Sequence, residues 1–371
     1  MPGCGNPIAR AYTERLLLVG GIRTEPPARD REAAVLFIVL PAIIREWGFV
    51  MLKRWCAVFA ALCVMAVSAG AADYPTRAVT IIVPFPPAGG VDSMARVVAE
   101  KLSQSLHEQF IVDNRGGAGG TIGTLAVKRA APDGYTLLLG HTGTMSINPT
   151  LYPHSGIDPN KDFEAIGMIA NFPVALLAHP SFPAKTIGEF IDYCKKNPGK
   201  VNVGTSAVGT GGYMTAELFK SVAGIDFQII PYKGTAPVMN DLLGNHVPVA
   251  FGVLPPALGN IAAGKLKVIG VTSIKRWSGL PDVPTFDESG LPKFEAVLRY
   301  GLLAPAGTPK EIVDKLSVEL RKLAESPDVQ QRVRNEGGDP ITSNAEEYKK
   351  DIAAEDIKWG GLVKKLNLRV D

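Results

Sequence analysis

"AVTIIVPFPPAGGVDSMARVVAEKL", Ala78 to Leu102, contains the join on which the fold turns. Ala78 to Phe85 is a continuous apolar run bounded by turn formers, the pattern of a strand buried on both faces of a parallel sheet. The Pro-Phe-Pro-Pro that closes it bars a helix from starting, because each proline fixes φ and restricts the residue before it. Gly89 and Gly90 come next, then Asp92, while Val91, Ala95, Val98 and Leu102 recur at helical spacing as a buried stripe. Such a turn, stiff on one side and bare on the other, has two readings. In one it is a structural turn whose Asp92 caps the helix. In the other it is a cradle. The glycines then let a ligand reach the backbone, the prolines lower the ordering cost, and the helix start supplies free N–H groups and partial positive charge. Asp92 would there meet a ligand ammonium or a water.

The strand–turn–helix pattern repeats along the chain. Phe110–Asn114 is a second strand, "GGAGGTIGTLAVKRAA" a glycine-opened helix, and Gly134–Gly140 a third strand. "FEAIGMIANFPVALLAHP" reads as strand, break, strand, and "TIGEFIDYCKKNPG" as a helix stopped by Pro198-Gly199. A second set opens at Val201 with a short strand ending at Thr205, a Ser/Gly loop and a helix to Gly224. Strands in "DFQIIPYKG", "VPVAFGVL" and "LKVIGVTS" follow, with a helix in "TAPVMNDLLGN" between the first two. "LRYGLLAPAGTP" reads as a return strand. Two long helices come after it, one with Pro309 at its first position and one from Asn344 that breaks near Gly360. Alternation of this kind implies doubly wound, mostly parallel α/β lobes, and 371 residues are enough for two.

The N-terminal region bears on location. From Met51, Lys53 and Arg54 form a basic stretch, Trp55 to Val67 an apolar run too short to span a membrane, and Ala69-Gly70-Ala71 a small-residue cleavage site. Residues 51–72 therefore read as a cleaved export signal, and residues 1–50 as a mis-annotated extension upstream of the true start. Leu62 before Cys63 argues against lipidation. Residues 1–72 hold eight of the 39 Lys/Arg and five of the 36 Asp/Glu, which leaves 31 of each sign in the mature chain. That balance gives no electrostatic case for nucleic acid or membrane surface. Cys194 is the one cysteine left after processing, so no internal disulfide forms, and its place on an amphipathic helix reads as packing.

Three more strand ends repeat the design of the first. His141, Thr142, Gly143 and Thr144 lie in one, Thr205, Ser206, Gly209 and Thr210 in another, and Tyr232, Lys233 and Gly234 in a third. In a doubly wound sheet ligands bind beyond the carboxyl ends of strands. Four loops rich in hydroxyls and bare N–H groups point to recognition of a small anion by neutral donors. The nucleotide fingerprints fail, because Ile122 and Met214 stand where a third glycine is needed. "GGAGG" reads as close packing of a helix start. No nucleophile elbow and no metal-type histidine spacing occur, and His141 reads as a loop side chain or ligand contact.

The ordered motifs "YPTRAVTIIVPFPPAGGVDSMAR", "VDNRGGAGGTIG", "APDGYTLLLG", "KDFEAIGMIA", "GTSAVGTGGYMTAELFK", "IIPYKGTAP", "LPDVPTFDESGLPKFE" and "GLLAPAGTP" resemble the Bug family. Members are periplasmic solute receptors of tripartite tricarboxylate transporters, and the likeness runs from Tyr74 to the C-terminus. It implies a type II periplasmic binding protein fold with a cleft between lobes. Residues 73–172 plus 298–371 would form lobe 1, and 173–297 lobe 2. It also implies a carboxylate ligand held by Phe85, Ala88, Gly89, Gly90 and Asp92, by Thr142–Thr144, by Thr205, Ser206 and the following helix start, and by Tyr232–Gly234. Where many members carry Trp before the glycine of the return strand, this chain has Leu298-Arg299-Tyr300. Arg299 either faces the cleft as a carboxylate partner or makes an outward salt bridge. The expectation is a periplasmic, monomeric receptor with neither cofactor nor metal. Its partners would be a small organic anion and the cognate membrane permease subunits. The alternatives are a secreted enzyme using Asp92 or His141 as base, and a sensor for a membrane signalling protein.

Overall fold

The computed structural model describes residues 74–87 and 89–370. The export signal, the stretch before it and Ala88 lie outside the described residues.

The apolar run becomes β1 (Val79–Val83), whose Val79, Ile81, Ile82 and Val83 are all buried. It pairs in parallel with β2 (Phe110–Asn114) on one side and β3 (Thr136–His141) on the other. Helix α1 (Gly90–Leu106) buries the expected stripe of Val91, Ala95, Val98 and Leu102 and stops at His107 in the left-handed region. Helix α2 (Thr121–Lys128) follows a single 3₁₀ turn at Ala118–Gly120.

β3 is flanked by the return strand β9 (Val297–Pro305), antiparallel to it, and β9 by β4 (Phe163–Ala178). The expected break in β4 is not there. The strand runs sixteen residues straight through Pro173. The reason lies in its partners: Phe163–Pro173 pair with β9, whereas Val174–Ala178 pair with β7 (Val249–Val253). Proline lacks an N–H, and here it stands where one ladder hands over to the next.

Beyond β4 the strand order is β7, β5 (Asn202–Thr205) and β6 (Gln228–Pro231), these three parallel, while β8 (Lys267–Val271) lies on the other edge of β4. Each parallel set is thus doubly wound, and antiparallel β9 and β4 join them into one mixed sheet. Helix α3 (Ile187–Lys196) precedes β5, α4 (Gly211–Ala223) follows it, and α5 (Thr235–Leu243) lies between β6 and β7. The pattern left unmarked α6 (Pro255–Ala262), α8 (Pro327–Asn335) after α7 (Lys310–Glu325), and the single-turn helices Asn148–Leu151 and Pro159–Asp162. Pro309 is the N-cap of α7 rather than its first residue. A two-residue strand, β10 (Asp339–Pro340), adds to β4.

The last helix, α9 (Ala345–Lys365), does not break at Gly360. There is room on Gly360 for close approach only; a Cβ would come 2.8 Å from Thr150 Oγ1. Helix α9 packs Tyr348 and Ile352 among Leu138, Met145 and Leu303, and Trp359, Leu362 and Val363 among the phenylalanines of the other core, including Phe190, Phe219 and Phe251. One helix therefore braces both parallel sets. Among the described residues no helix is long and apolar enough to cross a membrane.

Candidate functional site

The carboxyl ends of β1 and β3 meet through an aromatic column. Phe85 stacks on His141 with centroids 4.7 Å apart, His141 lies 5.7 Å from Tyr300, and Tyr300 lies 4.5 Å from Phe172. The column ties the first loop to β9 and β4. His141 Nδ1 accepts from the N–H of Gly143 at 2.7 Å and from that of Thr144 at 3.4 Å, so its proton is on Nε2. Burial in the stack pushes the imidazole down to about 4, and it is neutral at pH 7. Gly143 has its Cα against that ring. Thr144 Oγ1 donates to the His141 carbonyl, while Thr142 Oγ1 accepts from the N–H of Arg299 at 2.9 Å.

Gly89 and Gly90 are exposed and do not need to be glycine for the fold's sake. Gly89 has φ −94°, open to any residue, and a Cβ on Gly90 would sit 3.6 Å from Tyr300 Oη, an ordinary contact. Asp92 is buried three residues into the helix. Its carboxylate accepts from Asn114 Nδ2 at 3.0 Å and pairs with Arg96 Nε at 3.1 Å. Asn114 Nδ2 also donates to the Phe85 carbonyl at 3.0 Å, and so couples the loop to the helix. Periodicity gave no sign of Asn114, Tyr300 or Phe172; an asparagine closing a strand beside a bare loop was the available cue.

The second parallel set presents Thr205, Ser206, Gly209 and Thr210 at the end of β5. Ser206 Oγ donates to Thr210 Oγ1 at 2.8 Å, and Thr210 Oγ1 donates to the Ala207 carbonyl at 2.7 Å. Thr205 Oγ1 donates to the Ser206 carbonyl, and the Thr205 carbonyl accepts from Tyr232 N–H, which brings the Tyr232–Gly234 turn alongside. Tyr232 donates to Asp241 at 2.6 Å, and burial followed by that bond pushes its hydroxyl up to about 12. Lys233 is exposed, and Gly234 takes a φ of 145°.

The two sets meet around the turn at Asn148–Leu151. Asn148 Nδ2 donates to the Gly119 carbonyl at 2.6 Å, and Gly209 lies against Leu151. Arg299 stands apart from them. Its guanidinium pairs with Glu295 and Asp351 at 2.8 Å each and with Glu355 at 3.2 Å, and it faces α9 rather than the loop residues. A separate groove between α1 and α8 holds Arg332 paired with Glu100, Arg96 paired with Asp92, and Glu336 accepting from Ser93 Oγ.

One property unites the helix starts at these loops. The N-cap residues Gly89, Thr210 and Gly234 make no side-chain hydrogen bond to α1, α4 and α5. Helix α2 starts the same way at Gly120, and α6, α7 and α8, also without a side-chain cap, start on or beside a proline, whereas α3 is capped by Thr186 and α9 by a reciprocal Asn344–Glu347 box. Uncapped N-termini with aligned dipoles suit an anion. Among the described residues no cluster of His, Cys, Asp or Glu fits a metal ion.

Residues 94–368 match the family model described as tripartite tricarboxylate transporter family receptor, and the chain belongs to that family. Among curated proteins it is 33% identical to Protein BugT of Bordetella pertussis over 84% of this chain and 96% of that one. Among solved structures, the periplasmic binding protein BugD is 39% identical, covering 80% of this chain and all of that one, with a TM-score of 0.68. An R. palustris protein, Rpa4515, solved with adipate, is 33% identical over 78% of this chain and 97% of that one, with a TM-score of 0.70. The fold is the two-lobed α/β fold of these periplasmic binding proteins.

Proposed function

We propose that this protein is an extracytoplasmic receptor that captures a small organic carboxylate and delivers it to the membrane permease of a tripartite tricarboxylate-type transporter. The observation that carries the reading is the set of three uncapped helix starts, at Gly89, Thr210 and Gly234, beside loops of hydroxyls and bare backbone. Family membership supports it, as does the adipate named with a relative. The contacts would come from Phe85, Ala88, Gly89 and Gly90, from Thr142–Thr144, from Thr205, Ser206, Gly209 and Thr210, and from Tyr232–Gly234. Asp92 would hold the first loop in shape through Arg96 and Asn114.

The lobes would be residues 73–172 with 298–371, and 173–297; the handover of β4 from β9 to β7 after Pro173 supports that division. Ligand contacts to both would favour a closed form by their differential free energy, and the permease would recognise that form. Export by a cleaved signal at residues 51–72 and a monomeric, cofactor-free state complete the reading. Catalysis by His141 or Asp92 gains no support, since His141 Nδ1 and the Asp92 carboxylate are both engaged within the protein.

A thermal-shift screen of mono- and dicarboxylates on the mature chain tests the proposal. Binding raises stability by RT ln(1 + [L]/Kd), so a ligand at about a hundred times Kd adds about 2.7 kcal/mol. Stabilisation by at least one acid, without turnover, is expected. A flat response across the screen, or conversion of the acid, would overturn it.

A further inference from the structure

Three consecutive residues of β9 touch the Thr142 loop, the start of α4 and helix α9. Val297 and Arg299 bond through their main chains to Thr142 Oγ1, which donates to the Val297 carbonyl at 3.4 Å and accepts from Arg299 N–H at 2.9 Å. Between them Leu298 fills the bare face of Gly211, the first residue of α4. The Arg299 side chain reaches the other way, to α9. There it pairs with Asp351 and Glu355, and with Glu295 just upstream of β9. Lys358 joins the cluster, donating to the Glu295 carbonyl at 2.7 Å and pairing with Glu355 at 3.1 Å, while Trp359 Nε1 donates to Glu355 at 2.6 Å. Helix α9 in turn backs the ligand-loop segment. Tyr348, Ile352 and Glu355 line a narrow cavity with Thr142, Met145 and Ser146, and Gly360 meets Thr150.

We propose that Arg299 is a positioning residue for ligand capture: its guanidinium fastens α9 to Val297–Arg299 and so holds the Thr142 loop and the start of α4 in one register. The consequence for affinity rests on the receptor reading; the fastening does not. An aromatic residue at this position could fill space but could not gather three carboxylates. A lysine would keep the charge and lose the planar fork.

The cluster is also unbalanced. Glu295, Asp351 and Glu355 face Arg299 and Lys358, with the Tyr348 hydroxyl beside them, so one negative charge is in excess. Burial, opposed by Arg299 and assisted by Glu355 and Glu295, pushes Asp351 up to about 6. A carboxyl raised above its ordinary 3.8 binds its proton more tightly in the fastened state than when released. The fastening therefore weakens as pH rises from about 4 to about 6 and is level above.

Hydrogen–deuterium exchange on the ligand-free protein tests this, with protection compared at residues 142–151 and 206–213 and with α3 as the remote control. Arg299→Ala should speed opening of both segments at least about tenfold while leaving α3 unchanged, and Arg299→Lys should fall between. Between pH 4 and 6 two opposed slopes act on 142–151: Asp351, titrating near 4 when released and near 6 when fastened, lowers protection as pH rises by up to about thirtyfold, while His141 raises it. In Asp351→Asn the falling slope should vanish and the rising one from His141 remain, so protection should climb with pH more steeply than in the wild type. Equal exchange in Arg299→Ala and wild type, a uniform rise that includes α3, or the same pH profile in Asp351→Asn would each overturn the proposal. Should Arg299→Ala not fold, Arg299→Lys and Asp351→Asn decide it. Adipate titration separates the two readings. Wild-type binding that weakens about tenfold in Arg299→Lys supports both. Loss of all carboxylate binding by the wild type sinks the receptor reading and leaves the exchange result to judge the fastening.

Discussion

The loops after β1 and β5 are both rich in glycine, and the residue does opposite work in them. After β5, Gly209 has φ +80° and lies against Leu151, and Gly211 lies against Leu298; neither has space for a side chain. After β1, Gly89 and Gly90 have ordinary φ and open or merely touching surroundings, yet they are bare. In the second set, glycine is a packing requirement that closes one set of strand ends onto the other. In the first, the fold makes no demand for it, whereas the proposed receptor role would, by bringing a ligand against the backbone. Identical composition therefore carries different information in the two loops, and only the surroundings distinguish them.

The largest effect that could break this contrast is at Gly209. Gly209→Val combines a positive φ with a clash against Leu151, and should cost about 3 kcal/mol or more by denaturant unfolding. A loss below about 1 kcal/mol would mean that the loop relaxes freely and the packing account is wrong.

A middle-sized effect separates the sets by pH. The first set contains a half-buried, ring-stacked histidine, whereas the β5 loop relies on hydroxyls. His141 is held near 4, below its free value of 6.5, so the unfolded chain binds its proton first. It contributes stability that is complete above about 6.5 and is lost as pH falls toward 4. Asp351 slopes the other way in nearly the same window. His141→Gln should leave a melting temperature that rises on acidification from pH 6.5 to 4, relative to wild type. An unchanged profile would place the histidine in solvent.

The smallest effect is at Ser206. Its bond to Thr210 is half-exposed, so Ser206→Ala should change stability by no more than about 1 kcal/mol. A loss of several kcal/mol would make the hydroxyl pair a structural cap and blur the distinction between the loops.

The sequence made much of this legible, because apolar runs and helical stripes are local signals. Val91, Ala95, Val98 and Leu102 were readable as one buried face, and the β1, β2 and β9 strands from their runs alone. What escaped is set by partners far along the chain. Pro173 looked like a break because the pattern does not show that β4 changes partner there. Gly360 looked like one because Thr150, more than two hundred residues earlier, is what requires it. Arg299 was readable as a charge in a strand, but its partners Asp351 and Glu355 sit on a helix some fifty residues on. The four rings of Phe85, His141, Tyr300 and Phe172 come from four separate stretches, and no periodicity links them.

The central claim is that the bareness of Gly89 and Gly90 serves a ligand and not the fold. Calorimetric titration of the Gly90→Val protein, with whichever carboxylate stabilises the wild type, tests it most directly alongside a melting curve. The account predicts a melting temperature within a few degrees of wild type and an affinity at least about a hundredfold weaker. Wild-type affinity in a folded Gly90→Val protein would contradict it.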